Sequence, residues 1–481
     1  MAKKLPKETK FKTYWYHRKM PYWMDKDPGR PEGVRDVPEL LRFDVEDGVE
    51  PNGKPPVRIF LGTENAQYRA ERVFVWSVLQ HRDPARVYEI HLMKDVKGFD
   101  RTGWKTGFTN YRYAIPAWCD GTGRAIYNDV DQIYLADPAE MFDLDMQDAG
   151  MLGITQRETS VMLIDCEKMI QHWKLEHAQS GHKHKHFRAL TLDNNLWGQL
   201  PPVWNARDDE YKADQSKCFH FTTLQTQPWQ PMPEMLNYRP HPDGKVWFDL
   251  QESADKAGFT VFTKERPSQR YKDLLEQHRL MHEKGEQSSG ERKGRPAAET
   301  FDGRSLKKEI GPIAALIRET SAKDILDYGA GKGVHYQPFE GEPAESRFRS
   351  QPAWPGVKVV CFDPCYAPFA EAYDEQCDGV ISTDVVEHLP PEDVPWVLDE
   401  MFKAAKTFVY VATVSFPAKK SLNNGDNAHS TIAPPAWWQG QMELAARRHP
   451  NVRWVLTCDE KTKIGKKVRE FTGMEKVHQA A

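Results

Sequence analysis

Asp129-Val130-Asp131 places two carboxylates between an apolar run, RAIYN, and a second one, QIYLADP. At the end of a strand, alternate positions would deliver both carboxylates to the same side. Two hard oxygen ligands suit Mn2+ or Mg2+, and such a cation could hold a diphosphate and offset charge on a departing nucleoside diphosphate. The same D-x-D spacing recurs at Asp25-Lys26-Asp27 and Asp143-Leu144-Asp145, and a solvated acidic turn is the plain alternative, so context must choose.

A second set begins at Ile325-Leu326-Asp327-Tyr328-Gly329-Ala330-Gly331-Lys332-Gly333. An acidic residue at a strand end followed by glycines at every second position permits a tight strand-to-helix turn and close approach of backbone to a ligand. The next strand, VKVVCF, ends in Asp363, placed to take ribose hydroxyls, and GVIST runs into Asp384-Val385-Val386-Glu387-His388-Leu389. Dinucleotide binding competes with this reading, but its G-x-G-x-x-G fingerprint has a different third spacing. Asp384, Glu387 and His388 would share one face of a helical turn and could offer oxygen and nitrogen to Mg2+; a capping Asp beside a ligand-facing Glu-His is the alternative. His388 and His429 are candidate general bases. His182, His184 and His186 alternate with lysines and read as a solvated loop, and Trp437-Trp438 reads either as a cover for an acceptor or as packing.

The elements that must position these residues fall into two groups. After a Pro-rich, aromatic extension (residues 1–55), VRIFLG, a helical stretch from Asn65 to Gln80 and VYEIHLM alternate strand with helix through residues 56–265. Residues 266–300 are polar and charged, with one helix expected around Tyr271 to His282, and read as a linker. A second βα series fills residues 301–481. The fold class expected is therefore α/β in both halves, each built on a largely parallel sheet. The chain has 481 residues, and its 66 Lys and Arg against 70 Asp and Glu leave a net charge of -4, without the basic surplus of a general nucleic-acid binder. Seven cysteines, an odd number thinly spread, argue for buried thiols in a reducing compartment. No apolar run is long enough for a membrane span and the start lacks a secretory h-region, so a cytoplasmic location is expected.

Across about 170 residues the first half resembles glycosyltransferase family 8, through IFLGTENAQY, FTNYRYAIPAWCDGTGRAIYNDVDQIYLADPAEMF, SVMLIDCEKM, LDNNLWGQLPPVWN and CFHFTTLQTQPW. The resemblance implies a GT-A fold, a divalent cation (Mn2+ or Mg2+), a nucleotide-sugar donor such as a UDP-sugar, and retention of anomeric configuration. It implies Asp129, Asp131 and His220 as metal ligands, Thr63, Asn65 and Tyr68 around the nucleotide, Arg112 near the diphosphate or sugar, and a catalytic-side Asp193. Three departures stand out: Thr222-Thr223 and Gln227 where the family carries Gly and Lys, Glu158-Thr159-Ser160 for Asn-Ser-Gly, and Asn194 for Gln.

From about Ser305 to Thr413 the second half resembles the class I S-adenosylmethionine-dependent methyltransferases, through D-x-G-x-G-x-G and DVVEHL. That implies a Rossmann-like fold with S-adenosylmethionine bound by Asp327, Gly329, Gly331, Gly333, Asp363, Ser382 and Asp384. Only a short segment separates Asp363 from Asp378, so one strand and its helices are expected to be missing. Similar acidic-x-x-Glu-His segments occur in ubiquinone-pathway O-methyltransferases. Together the resemblances imply a bifunctional transferase for a glycan or small-molecule acceptor. Two alternatives stay open: a methyltransferase whose first half only binds or scaffolds, and an enzyme modifying nucleic acid, for which the charge balance offers little.

Overall fold

The computed structural model describes residues 35–473 apart from 65–66, 95, 101–105, 232–235, 287–293, 302, 337–353, 355, 372, 374, 420, 424–426 and 463–464. Asn65 and most of the N-terminal extension therefore lie outside the described residues. The chain divides into two compact units, Met1–Val261 and Phe262–Ala481. Among the described residues no helix is long and apolar enough to cross a membrane.

The first unit is a mixed α/β structure. Its strands are β1 (Glu39–Phe43), β2 (Val57–Gly62), β3 (Tyr88–Met93), β4 (Arg124–Asp129), β5 (Gln132–Tyr134), β6 (Met151–Gly153), β7 (Val161–Asp165), β8 (Trp197–Gln199), β9 (Ala206–Arg207) and β10 (Cys218–His220). A seven-stranded sheet runs β1-β3-β2-β4-β7-β6-β8, and a small sheet runs β5-β10-β9. β2 is parallel to both β3 and β4. The order thus reverses at β2, and in open α/β sheets the crevice at the carboxyl ends of such strands is where ligands bind. VRIFLG forms β2 because β-branched and aromatic residues fit a sheet covered on both faces. The following helix, Tyr68–His81, buries Val73, Phe74 and Val78 on one stripe. The described end of the extension contributes β1, paired antiparallel to β3.

The second unit holds one sheet of β11 (Asp324–Tyr328), β12 (Lys358–Phe362), β13 (Cys377–Thr383), β14 (Ala405–Val414), β15 (Arg453–Thr462) and β16 (Gly465–Gly473). The order is β12-β11-β13-β14-β15-β16, parallel throughout except for β16. Here the reversal falls at β11, between β12 and β13. The short connection after Asp363 leaves β12 at the sheet edge, as its length required. Ile313, Ile325, Ile381, Phe408 and Tyr410 share the core.

The stretch expected as a linker is not a spacer. Its helix, Gln269–Lys284, is N-capped by Ser268, whose Oγ accepts from Tyr271 N at 3.0 Å. Ser268 N in turn donates to Asp393 Oδ1 at 3.0 Å. Tyr271, Met281 and His282 are buried in the second unit. A helix is where the sequence places one, around Tyr271 to His282, and a few apolar positions on one face suffice to dock it. The histidine-rich run also differs from expectation. His184 and His186 lie in the helix His184–Asp193, and the rings of His177, His182 and His186 gather with centroids 4.4 to 5.0 Å apart. The fold, rather than the period of two that the sequence displays, decides which of them meet, since His177 comes from the preceding helix Leu175–Gln179 and His182 from the connection between the helices.

Candidate functional site

In the first unit the strand reversal brings three expected residues together. Asp129 ends β4, but Val130 and Asp131 form a tight turn into β5 rather than continuing a strand edge, a correction to the extended geometry expected of D-x-D. Val130 N donates to Gly62 O at 3.0 Å, pinning that turn to the end of β2. β10 runs antiparallel to β5 with His220 opposite Gln132, so His220 reaches Asp131. Its Nε2 lies 3.0 Å from Asp131 Oδ1. The ligand atoms of Asp129, Asp131 and His220 all fall within 4.8 Å of one another.

The histidine tautomer follows from its neighbours. Asn205 Oδ1 accepts from Gln132 Nε2 at 3.0 Å while Asn205 Nδ2 donates to Ser160 Oγ at 3.3 Å, which fixes the amide's orientation. His220 Nδ1, 2.9 Å from that same Oδ1, must therefore be the donor. Nε2 is left to face the carboxylates, the arrangement by which outer partners orient a metal-bound imidazole. Adjacent ligands of an octahedral cation with bonds of ~2.1 Å stand ~3.0 Å apart, so the separation of Nε2 and Oδ1 fits such an ion. Burial drives the Asp129 carboxyl up to about 6, although Arg112 opposes this. For His220, burial works against the proton, but Asp131 and Asp129 outweigh it and the pKa is raised. Both shifts report negative charge held in low dielectric, which a divalent cation would relieve.

Arg112 stands in this cluster, with Nη2 3.0 Å from Asp129 Oδ1 and its guanidinium 4.3 Å from the Tyr127 ring centroid. Tyr127 also donates to Asp129 Oδ1. The segments that depart from the resembled family sit here too. Thr159 holds Arg112 Nη1 through its carbonyl and, at 3.0 Å, its hydroxyl. Glu158 accepts from Ser160 N at 3.0 Å and raises the His220 pKa from a distance. Gln227 Nε2 donates to Asp131 Oδ2 at 3.3 Å. The other expected residues lie outside the three-residue cluster. Thr63 is fully buried, its hydroxyl donating to Glu71 Oε2 at 3.0 Å, and Glu71 is paired with Lys94. Tyr68 is buried at the start of its helix. Asp193 is exposed at the end of the helix His184–Asp193 and is not part of the metal-ligand cluster. Asn205, Gln132 and Tyr127 were not singled out from the sequence. Nothing in their types marks them: Tyr127 and Gln132 read as ordinary strand residues, and Asn205 meets Gln132 only through the fold.

In the second unit a cavity of about 320 Å³ opens at the carboxyl ends of β11 and β13. Asp327, Gly329, Gly331, Gly333, Asp363, Asp384 and His388 line it, with Tyr271, Leu274 and His278 from the helix Gln269–Lys284. Gly329 has φ of +83°, and an added Cβ would collide with Val385. Gly331 N donates to Asp363 Oδ2 at 2.8 Å, so the aspartate ending β12 buttresses the glycine turn besides facing the cavity. Ser382, assigned to the cofactor by resemblance, is buried and donates to Tyr328 O at 2.9 Å. Burial pushes Asp327 up to about 7, while Tyr336 Oη, donating to Oδ2 at 2.7 Å, restrains the shift. Asp363 rises to about 6 for the same reason.

His388 and His429 meet at a centroid separation of 5.0 Å. Burial, with His278 and His429 close by, holds the His388 pKa down at about 3, so its ring is neutral near pH 7. Glu387 is buried and turns away from the cavity lining. Trp438 is packed inside its helix, which favours the packing reading of the tryptophan pair over the acceptor cover.

No protein-family model matches the chain, and no curated protein does. Among solved structures, it is similar to the bifunctional glycosyltransferase WbbM in apo form, with 11% identity over 42% of this chain and 53% of that one and a TM-score of 0.31. The galactosyltransferase LgtC with donor and acceptor sugar analogues gives 12% identity over 41% and 96%, with a TM-score of 0.29. The apo glycosyltransferase GlyE of Streptococcus pneumoniae TIGR4 gives 12% over 82% and 100%, with a TM-score of 0.31. The chain spans about half the length of the WbbM chain. Superpositions this loose define no family, and the functional reading rests on the two sites themselves.

Proposed function

We propose that the chain is a bifunctional transferase, whose first unit transfers a glycosyl group from a nucleoside-diphosphate sugar and whose second unit transfers a methyl group from S-adenosylmethionine. The observation that carries the first half is the convergence of Asp129, Asp131 and His220 at the strand reversal of the sheet. A divalent cation held there would bind the donor diphosphate and offset charge on the leaving nucleotide. The protein's own part is to hold that ligand set rigid. Asn205 and Gln132 fix His220, and the β4–β5 turn fixes both carboxylates. Among the described residues Arg112 supplies the only cation bonded to Asp129, and it could exchange that partner for a donor oxygen.

Support for the second half is the cavity at the β11–β13 reversal, with its glycine turn and two aspartates. Buried Asp327 and Asp363 suit a ligand carrying both a cation and vicinal hydroxyls. Incubation of the full chain with UDP-sugars and Mn2+, and calorimetry with S-adenosylmethionine, test the halves separately. Absence of donor turnover overturns the first, and absence of cofactor binding overturns the second.

One observation favours a second reading, in which the first unit binds without turning over. Gln227 stands where the resembled family carries a lysine, and it is hydrogen-bonded to Asp131. No cation from that position meets the diphosphate. Mn2+-dependent UDP binding without donor hydrolysis would select this reading.

A further inference from the structure

Glu387, His388 and His429 form a second cluster beside the cavity, in contact through Glu387 with the Asp384 carboxyl. Their ligand atoms lie within 4.8 Å of one another. His388 sits in the short turn Val386–His388 after β13, and His429 arrives from the loop after β14. Both imidazoles are oriented by backbone carbonyls: His388 Nδ1 donates to Ala428 O, and His429 Nδ1 to Phe416 O, each at 2.7 Å. A carbonyl can only accept, so both rings carry their proton on Nδ1 and present the Nε2 lone pair, the tautomer of a metal ligand. The loop bearing His429 is itself fastened. Asn427 Oδ1 accepts from Ala418 N and His429 N, each at 3.0 Å, and Asn427 Nδ2 donates to Ala418 O at 2.9 Å.

The third member supplies an independent pointer. Glu387 is fully buried, with 0% of its surface exposed. Thr413 Oγ1 donates to its Oε2 at 2.9 Å, whereas Oε1 is buried without a hydrogen-bond partner. With the Asp384 carboxyl against it, a buried Glu387 carboxylate is costly unless a cation or proton meets it. Asp384, which the sequence grouped with Glu387 and His388, is not one of the three; it lines the cavity in a left-handed conformation with φ of 62° and touches the cluster through Glu387. The ligand set is therefore two imidazoles and one carboxylate rather than two carboxylates and one imidazole. Such a set favours Zn2+ or Fe2+ over Mg2+, which prefers oxygen and retained water.

We propose that Glu387, His388 and His429 bind a divalent transition-metal cation at the edge of the second unit's cavity. The site stands on ligand geometry alone. Its use in catalysis rests on the methyl-transfer reading, which it deepens by putting a Lewis acid beside the cavity wall formed by His388.

The test uses the full chain carrying Asp131→Asn, which removes one ligand of the other cluster, stripped with chelator and titrated with Co2+ and Zn2+. Visible Co2+ absorption bands and Zn2+ binding near one equivalent are expected. His429→Ala and the near-isosteric Glu387→Gln should each weaken Zn2+ binding at least ~10-fold and diminish the bands. Zn2+ should raise the melting temperature of the Asp131→Asn chain but not of the same chain carrying His429→Ala. Absence of bands in the Asp131→Asn chain, or unchanged Zn2+ affinity in both variants with an unchanged metal-free melting temperature, overturns the proposal. S-adenosylmethionine binding measured on the same samples separates the two readings. Cation binding without cofactor binding overturns methyl transfer alone, and cofactor binding without a cation overturns this site alone.

Discussion

His220 Nδ1 donates to Asn205 Oδ1 at 2.9 Å, and this contact ends a buried relay that starts at Tyr134 Oη and passes through Asn128 and Gln132. Each amide in the relay is oriented by the next, so the imidazole is held from behind by groups that touch no ligand. Asn205→Ala is expected to weaken Mn2+ binding to the first unit by ~10–100-fold while leaving all three ligands in place. Calorimetric titration of Mn2+ into the full chain measures this, and an unchanged affinity would show that the relay is only structural.

Gln227→Lys restores a cation beside Asp131. If donor transfer is the activity of this unit, the lysine should lower KM for a UDP-sugar several-fold. Should the variant lose Mn2+ binding instead, the glutamine is part of the ligand shell rather than a missing cation.

Asp327 titrates near neutrality because burial disfavours its charge. Its pKa of about 7 is raised from an ordinary value of ~3.9, so between these two the folded chain holds a proton that the unfolded chain does not. The stability this contributes is present below pH ~4 and is lost as pH rises through about 7. A sulfonium ligand favours the carboxylate form, so S-adenosylmethionine binding should release a proton and tighten from pH 6 to pH 8. Calorimetry in two buffers of different ionisation enthalpy reports the proton directly; a pH-independent affinity would remove Asp327 from the cofactor contact.

Gly329→Ala combines a φ of +83° with a Cβ that meets Val385. A cost of ~1–3 kcal/mol to the second unit is expected, with loss of cofactor binding and no change in Mn2+ binding by the first. Thermal unfolding and the two titrations check each part.

Lys94→Met leaves Glu71 as a buried, unpaired carboxylate, since both side chains of the pair are 1% exposed. Removing one partner of such a pair costs ~3–5 kcal/mol, measurable as a fall in the denaturant midpoint.

The strands of the first unit and the carboxylates at the end of β4 were legible because periodicity, turn residues and an acidic pair are local signals. Asp129 and Asp131 stood out only when their flanking strands and the resembled segments were added to the spacing, and His220 only by a resembled segment. Three things were not legible. The D-x-D turn depends on Gly62, sixty-odd residues upstream in the chain. The Asn205 relay uses ordinary amides that only the fold brings into line. His429 belongs with Glu387 and His388 because the loop after β14 folds back over the turn after β13, and no pattern in NNGDNAHST encodes that return. The helix Gln269–Lys284 is legible as a helix, whereas its packing is not, because only a few apolar residues on one face dock it.

That helix also sets how the molecule can be divided by hand. A fragment starting at residue 301, where the second βα series opens, would lack Tyr271, Leu274 and His278 from the cavity wall and would strip Asp393 of its bond from Ser268. One starting at Phe262 keeps all of these. A short fragment that failed to bind S-adenosylmethionine would therefore report a missing wall, and only the longer one can speak for the second unit's chemistry.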